Sequence, residues 1–98
     1  MTTIMDKFQL NGKTAIVTGG VGLLGKQFCR TLAEAGAHVL VADINLELAG
    51  KVAQDLRDAG YSAVAVGVDV TCPESTQGMV ERAVNLFGSL DVIVCSAA

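Results

Sequence analysis

The sequence predicts an α/β fold in which a parallel sheet is covered by helices on both faces. Short runs of β-branched and aliphatic residues alternate with segments of helical periodicity along the 98 residues. A glycine-rich segment joins the first apolar run to the first helical segment. The composition is 51% hydrophobic and only 17% charged, which is typical of strands that are buried on both faces.

The first strand is predicted to end at Thr18, and a glycine-rich turn follows it. Residues 14–25 read TAIVTGGVGLLG. Gly19 permits a sharp turn out of the strand, and the missing side chains of Gly19 and Gly22 let phosphate oxygens approach the backbone. Gly25 lets the next helix pack closely on the strand. The segment therefore suits a pyrophosphate, although the glycine spacing alone also fits an ordinary connection between a strand and a helix.

Three helical segments follow, and each is predicted to bury one apolar face. Asn45 can cap the second helix, and Pro73 suits the first position of the third. Gly36, Gly60 and Gly88 are predicted helix stops. The predicted buried faces consist of Leu24, Phe28, Leu32 and Ala35 in the first helix, Leu48, Val52 and Leu56 in the second, and Val80, Ala83, Val84 and Phe87 in the third.

Three further strands are predicted at residues 37–42, 62–68 and 90–94. Right-handed crossovers between them imply the strand order 3-2-1-4 and a switch point beside the first strand. The predicted fold is a three-layer, Rossmann-type doubly wound parallel sheet, partial in extent, with four strands and three helices. Ligands of such sheets bind in the crevice at the carboxyl ends of the strands. The residues expected to converge there are Gly19, Asp43, Asp69 and Cys95.

Asp43 is the candidate ligand of an adenosine ribose. It closes the second strand roughly 20 residues beyond the glycine turn, where a carboxylate can accept hydrogen bonds from both ribose hydroxyls. The same charge repels a 2′-phosphate, and neither Ile44 nor its neighbours supply a cation. The sequence therefore predicts NAD as the cofactor, with a solvated or helix-capping carboxylate as the alternative. Asp69 is expected either to contact the adenine or to bond local backbone amides.

Charge and cysteine content argue against several other functions. A net charge of -3 without a basic run gives no reason to expect nucleic acid or an anionic membrane as a partner. Cys29, Cys72 and Cys95 lack zinc-site spacing, so reduced thiols and no metal are expected. His38, the single histidine, is expected to be structural. The first residues do not form a signal-peptide pattern and no apolar run is long enough to span a membrane, so a cytoplasmic location is expected.

Taken together, these residues resemble those of the short-chain dehydrogenase/reductase family over the whole length of the chain. Members of that family transfer a hydride between NAD(P) and an alcohol or carbonyl group. The resemblance therefore implies NAD and a small alcohol or carbonyl substrate as partners. The segments that carry it are FQLNGK at residues 8–13, VTGG at residues 17–20 with Gly25, Ala42-Asp43, Asp69-Val70-Thr71, and FGSLDVIV at residues 87–94.

The resemblance also implies a set of cofactor-binding residues, which includes no catalytic residue and no metal ligand. The glycine turn would surround the pyrophosphate, and the ends of the second and third strands would hold the ribose and the adenine. The end of the fourth strand would lie at the middle of the cofactor. In that order, the residues are Gly19, Val21, Gly22, Leu24 and Gly25; Asp43, Ile44, Asp69 and Val70; and Cys95, Ser96 and Ala97.

The chain departs from the family's pattern at two points and lacks its catalytic residues. Leu23 stands where the usual turn has its middle glycine, and the resulting spacing resembles the extended branch of nucleotide-sugar epimerases and dehydratases. Cys95 and Ser96 replace the asparagines that usually end the fourth strand. The family's catalytic serine and its tyrosine with a lysine four residues later are not in this chain, since Tyr61 is the only tyrosine and Ala65 stands at that spacing.

The sequence thus predicts a single domain over residues 1–98 that is the N-terminal, NAD-binding part of a longer oxidoreductase. The fourth strand would present a bare apolar edge, which favours pairing with another chain, and a homo-oligomer is one such pairing. Two alternatives remain. One is a catalytically silent NAD-binding or sensing module, and the other is a fragment of an epimerase or dehydratase of the extended branch.

Overall fold

A computed structural model describes residues 10–96 of the chain. Strands and helices alternate along these residues as the sequence predicts, and their bounds differ from the predicted ones by one or two residues. The strands are β1 Thr14–Thr18, β2 His38–Asp43, β3 Ala63–Gly67 and β4 Val92–Cys95, and the helices are α1 Leu23–Glu34, α2 Leu46–Asp58 and α3 Pro73–Phe87.

The four strands form one parallel sheet in the order β3-β2-β1-β4. β1 pairs with β2 on one side and with β4 on the other, so the winding direction reverses beside β1. Thr18 is in register with Ala42 and with Cys95, and Asp43 is in register with Gly67. The carboxyl ends of all four strands therefore meet at one edge of the sheet. The predicted order 3-2-1-4 and its switch point are confirmed.

The sheet separates two apolar clusters. On one face, Ala15 and Val17 of β1 pack with residues of α1 and α2. On the other face, Ile16 and Leu40 pack with Met79 of α3. Helices thus cover both faces in three layers, and β1 is buried along its whole length, which accounts for the apolar composition.

The predicted buried face of α1 is wrong at Leu24 and Phe28, whereas Ala35 is buried as predicted and Leu32 is half-buried. Leu24 is 56% exposed and Phe28 is 36% exposed, while α1 buries Gly25, Cys29 and Ala33. The small residues let the helix axis approach the sheet, and the contact of Gly25 with the turn below it fixes which side of the helix faces inward. The large apolar residues of α1 therefore flank the contact with the sheet instead of forming it.

The buried faces of α2 and α3 are also shifted from the predicted faces. Leu48 and Val84 were predicted to be buried, and they are 42% and 43% exposed. Leu56 and Ala83 are buried as predicted, because they belong to both the predicted and the observed faces. The residues that α2 buries are Ala49, Ala53 and Leu56, those that α3 buries are Met79 and Ala83, and Val52, Val80 and Phe87 are half-buried.

The helix ends agree with the sequence signals. The side chain of Asn45 accepts a hydrogen bond from the Leu48 N–H at 3.1 Å and so caps α2. Pro73 occupies the first turn of α3, where its missing N–H costs no helical hydrogen bond. α3 ends at Gly88, whose φ of 85° is a left-handed conformation that favours glycine.

The cysteines and the histidine lie apart from one another. Cys29 lies on the buried face of α1. Burial raises the pKa of its thiol to about 12, so the thiol stays protonated. Cys72 and Cys95 are also free thiols. His38 stacks on Phe87 with ring centroids 4.5 Å apart, at the amino end of β2. Within residues 10–96, no three potential ligands come together as a metal site, and no helix is long and apolar enough to cross a membrane.

Asp91 ties the amino end of β1 to the segment before β4. Its carboxylate accepts hydrogen bonds from the Thr14 N–H at 2.9 Å and from the Ser89 hydroxyl at 3.0 Å. The Thr14 N–H, followed by the Ser89 hydroxyl, lowers the pKa of Asp91 from its ordinary value of 3.8. Because the pKa is lower in the folded state, the carboxylate stabilises the fold above pH 3.8, and this stabilisation is lost as the pH falls through the lowered folded-state value.

Asp91→Asn should therefore flatten the acid limb of the stability profile. We expect the variant to be less stable than the native protein at neutral pH, and the difference to shrink as the pH falls below 3.8. Urea denaturation at a series of pH values measures both. Part of the acid dependence should persist in the variant, because Thr71 lowers the pKa of Asp69 in the same way. A pH-independent difference between the two proteins would contradict this account.

Candidate functional site

A cleft of about 510 Å³ opens at the carboxyl ends of the strands. It lies at the edge where the winding direction of the sheet reverses, which is where open α/β sheets bind ligands. The glycine turn and the segments that follow β2, β3 and β4 all contribute to its wall. The lining residues are Gly19, Val21, Gly22, Asp43, Ile44, Val68, Asp69, Val70, Thr71 and Ser96.

Most of the predicted cofactor-binding residues line this cleft. Leu24 and Gly25 lie outside the lining, in the first turn of α1, and Cys95 is an exposed residue of β4 beside Thr18. Ala97 lies outside the described residues. Val68 and Thr71 line the cleft without having been predicted, although Thr71 belongs to the Asp-Val-Thr segment that follows β3 and could have been found there. The predicted residues in the lining are Gly19, Val21, Gly22, Asp43, Ile44, Asp69, Val70 and Ser96.

The glycine turn brings the backbone of β1 directly against α1. Gly19 has a φ of 70°, which turns the chain sharply out of β1. The Gly20 N–H donates to the Ala42 carbonyl at 3.2 Å, so the turn is fastened to the end of β2. A Cβ at Gly25 would overlap the Gly19 carbonyl oxygen and lie 2.9 Å from the Gly20 Cα. The close approach of helix and turn therefore depends on the absence of a side chain at Gly25.

This turn also presents unbonded backbone donors at the N-terminus of α1. Gly22 caps the helix in an extended conformation, and its own N–H donates to the Gly19 carbonyl at 3.2 Å. The first N–H of α1 that donates within the helix is that of Lys26, and it donates to the Gly22 carbonyl. Unbonded N–H groups at a helix N-terminus form an anion site. In the glycine turn and the first turn of α1, the N–H groups that donate to no acceptor within residues 10–96 are those of Val21, Leu23, Leu24 and Gly25.

Asp43 holds a carboxylate at the next strand end. Its Oδ1 accepts a hydrogen bond from the Asn45 N–H at 3.0 Å, which fixes the orientation of the carboxylate. Its Oδ2 accepts no hydrogen bond from the described part of the chain, and no described Lys or Arg pairs with it. Asp43 can therefore accept hydrogen bonds from a ligand's hydroxyls, and its charge is not neutralised by the neighbouring residues of the chain.

Asp69 holds a second fixed carboxylate, two residues beyond the end of β3. Its Oδ1 accepts hydrogen bonds from the Thr71 hydroxyl at 2.6 Å and the Thr71 N–H at 3.0 Å. These two donors, the hydroxyl first, lower the pKa of Asp69 below 3.8. Its N–H donates to the Ser75 hydroxyl oxygen at 2.9 Å. Asp69 therefore bonds a local backbone amide, which is one of the two roles expected from the sequence. Only its Oδ1 takes part in these bonds.

A second cleft, of about 390 Å³, lies between α1 and α2. Helix side chains form its wall, and these include Lys26, Arg30 and Lys51. The Arg30 Nε lies 3.0 Å from Glu34 Oε1, so part of this positive charge is already paired. Apart from Val21, the residues lining this cleft come from the two helices, and no strand end reaches it.

Tyr61, the only tyrosine, does not belong to the candidate site. It precedes β3, and its N–H donates to the Leu56 carbonyl at 3.0 Å. Its side chain packs against the cluster beneath α1 and α2. Tyr61 therefore lies at the amino ends of the strands, on the edge of the sheet opposite the cleft.

A glycine turn with free amides at the switch point, and acidic residues at the next two strand ends, define a dinucleotide-binding α/β domain of the Rossmann type. The sequence model of the family described as short chain dehydrogenase matches residues 13–98. The chain therefore belongs to the short-chain dehydrogenase family, and the resemblance inferred from its motifs is confirmed.

Similarities to individual proteins are consistent with this family assignment. The chain is 42% identical over 88 residues to 3beta-hydroxysteroid dehydrogenase 2 of Eggerthella lenta, an alignment that covers 90% of this chain and 34% of that protein. The crystal structure of a hydroxysteroid dehydrogenase from Escherichia coli matches with a TM-score of 0.90 and 34% identity, over 95% of this chain and 40% of that one. The chain thus spans about a third of the length of the curated relative.

A third match concerns the cofactor. A protein named as a D-mannonate oxidoreductase from Haemophilus influenza, whose crystal structure contains bound NAD, matches with a TM-score of 0.85 and 28% identity. The alignment covers 93% of this chain and 32% of that one. The fold of residues 10–96 is therefore similar to that of a protein whose crystal structure contains NAD.

Proposed function

We propose that this chain is the NAD-binding segment of an oxidoreductase that transfers a hydride between the nicotinamide and an alcohol or carbonyl substrate. The observation that carries the proposal is that the glycine turn leading into α1, with the unbonded amide of Val21, and the fixed carboxylate of Asp43 line one cleft. The amides suit a pyrophosphate, and the carboxylate suits the ribose beside it. When bound, NAD supplies the group that accepts or donates the hydride.

The chain's own residues would bind and orient the cofactor. Gly19 and Gly22 keep side chains away from the pyrophosphate, and the N–H groups of Val21 and Leu24 would donate to its oxygens. Gly25 holds α1 in the position that makes these donors available. Ile44 and Val70 are exposed apolar residues beside the two carboxylates, and they suit the flat faces of an adenine. We place the middle of the cofactor near Cys95, Ser96 and Ala97.

We propose NAD as the preferred cofactor over NADP. A 2′-phosphate at the ribose would bring negative charge against the Asp43 carboxylate, and no described cation pairs with Asp43 to offset the repulsion. Asp69 is held ionised by its Thr71 contacts, and its Oδ2 could accept a hydrogen bond from the adenine amino group. The Asp43 carboxylate therefore favours an unphosphorylated ribose, whereas the Asp69 contact would be the same in NAD and NADP.

The proposed reaction requires proton transfer, and we assign that step to no residue of this chain. The relative named as a hydroxysteroid dehydrogenase supports an alcohol or ketone as the substrate class. We further propose that the chain forms one domain at the N-terminus of the oxidoreductase, that the protein is cytoplasmic, and that it forms a homo-oligomer.

Calorimetric titration of the protein with NAD tests the proposed function. We expect saturable binding at one site per chain, and we expect ADP to compete for it because ADP carries the adenosine and the pyrophosphate. The expected competition distinguishes the proposed cleft from a site that recognises the nicotinamide alone. No binding at roughly 1 mM NAD, where a site worth about 4 kcal/mol would be half filled, would contradict the proposal.

A further inference from the structure

The cleft of about 390 Å³ between α1 and α2 has an apolar floor. The apolar residues that line it are the more buried ones. Leu56 is buried, and Val21 and Val52 are half-buried. Leu48 keeps 42% of its surface exposed, so apolar surface remains for a ligand to cover. A cleft of this volume is in the range of small-molecule sites.

The charged side chains that line the same cleft are exposed and therefore form its rim. Lys26 and Arg30 lie one turn apart on α1, and Lys51 and Asp55 lie one turn apart on α2. Three of the seven Lys and Arg residues of the chain are thus gathered in one cleft, although the net charge of the chain is -3. Within residues 10–96, neither Lys26 nor Lys51 forms an ion pair with a carboxylate.

The charges around this cleft suit a ligand with a single negative charge. Asp55 offsets one of the three cations, and Glu34 offsets Arg30 through their ion pair at 3.0 Å. One net positive charge therefore remains. A carboxylate carries one negative charge and matches it, whereas a phosphate group carries about 1.5 to 2 at neutral pH and would leave an excess. The charge of the rim and the apolar floor together favour an acid with a hydrocarbon body.

We infer that the cleft between α1 and α2 binds an aliphatic carboxylic acid. The hydrocarbon chain covers Leu48 and Val52, and the carboxylate lies between the ammonium groups of Lys26 on one helix and Lys51 on the other. Burial of the chain supplies most of the affinity, and the two ammonium groups select the charged head. The inference goes beyond the proposed function and does not depend on it.

The cofactor cleft differs from this site in charge. Asp43 and Asp69 line the cofactor cleft, and no Lys or Arg does. A second negative charge is repelled by these two carboxylates and attracted by the cations between the helices. An acid and NAD therefore occupy separate clefts, which are adjacent because Val21 lines both.

Titration of the ¹⁵N-labelled protein with octanoate, followed by amide NMR shifts, tests the site. We expect saturable shifts at Lys26, Leu48 and Val52, with a Kd of about 1 mM, a modest affinity for a ligand of roughly ten non-hydrogen atoms. Octanol keeps the chain without the charge and should bind more weakly. Acetate keeps the charge without the chain and should give no saturable shift.

Two substitutions on α2 should change the octanoate affinity in opposite directions. Lys51→Met keeps the aliphatic stem and removes the positive charge, so we expect the affinity to fall by about two- to fivefold. Asp55→Asn removes a negative charge one turn away, so we expect the affinity to rise by a similar factor. General destabilisation would not produce this difference of sign.

Arg82→Met is the matched control, because Arg82 is an exposed cation of α3, on the opposite face of the sheet. We expect it to leave the octanoate affinity unchanged. An equal loss of affinity in Arg82→Met and Lys51→Met would show a general effect of net charge and overturn the site.

Several results would overturn the inference. They include no saturable shift up to roughly 10 mM octanoate, and shifts at Ile44 and Val70 instead of Leu48 and Val52, which would place the acid in the cofactor cleft. Equal affinity for octanol, or tighter binding of octyl phosphate, would overturn the carboxylate as the head group. Should Lys51→Met fail to fold, Lys26→Met replaces it, and an unchanged octanoate affinity in that variant would overturn the site.

Discussion

Gly25→Ala is expected to lower the free energy of unfolding by about 3 kcal/mol or more and to abolish NAD binding. The added Cβ would overlap the Gly19 carbonyl oxygen and crowd the Gly19 carbon and the Gly20 Cα, each at 2.9 Å. These are backbone atoms, so no side-chain rotation relieves the overlap, and α1 must move away from the turn. That movement displaces the amides proposed to bind the pyrophosphate. Chemical denaturation and calorimetry with NAD measure the two effects.

Gly50→Ala provides the control for this substitution. Gly50 lies inside α2, and a Cβ there would meet nothing within 4 Å. Alanine favours a helix over glycine, so we expect this variant to be more stable by about 0.5 to 1 kcal/mol and to bind NAD normally. The same chemical change should thus have opposite effects in two helices. A Gly25→Ala variant as stable as the native protein would refute the close packing of α1 on the turn.

Asp43→Ala is expected to weaken NAD binding by about 10- to 100-fold and to remove the preference for NAD over NADP. A hydrogen bond to a charged group contributes about 1.5 to 3 kcal/mol, which corresponds to that range of affinities. NADP should lose less affinity or gain some, because the substitution also removes the charge that repels its 2′-phosphate. Parallel titrations with the two cofactors measure the change in their ratio.

Asp55→Ala is the matched control for the loss of this carboxylate. Asp55 lies in the cleft between α1 and α2, so its removal changes the net charge equally without touching the strand ends. We expect it to leave both affinities unchanged. An unaltered ratio of NAD to NADP affinity in Asp43→Ala would show that Asp43 does not distinguish the two riboses. An equal change of the ratio in Asp55→Ala would show the same.

Strand order and the location of the cleft follow from local signals in the sequence. The alternation of apolar runs with helical segments, together with the right-handed crossover, permits few arrangements, and 3-2-1-4 is the one observed. Gly19 follows β1 directly in the chain, and Asp43 is the last residue of β2. Because parallel strands end at the same edge, their meeting in one cleft is a consequence of the topology that the sequence already predicts.

The helical faces were predicted only in part, because they depend on how closely each helix approaches the sheet. Ala35, Leu56 and Ala83 are buried as predicted. Hydrophobic periodicity selects the largest apolar residues, such as Leu24 and Phe28, but α1 buries Gly25, Cys29 and Ala33. Small residues are buried here because the helix lies against the turn, and only the assembled backbone shows that contact. A better signal was the row of small residues spaced four apart that begins at a glycine of the turn.

The contacts of Ser96, which the resemblance marks only as a cofactor-binding residue, could not be predicted from the sequence. Its hydroxyl bonds to Thr18, which is 78 positions earlier in the chain, and no local pattern identifies such a partner. The sequence marked this residue as a departure from the family's asparagines. The structure shows what the serine contacts, and these contacts reach the same turn that carries the candidate anion site.

A crystal structure of the protein with NAD would test the central claim most directly. We expect the pyrophosphate oxygens to lie within hydrogen-bond distance of the Val21 and Leu24 amides, and the adenosine ribose hydroxyls to bond the Asp43 carboxylate. NAD in the cleft between α1 and α2, or a pyrophosphate and a ribose that contact neither the turn nor Asp43, would contradict the assignment of the site.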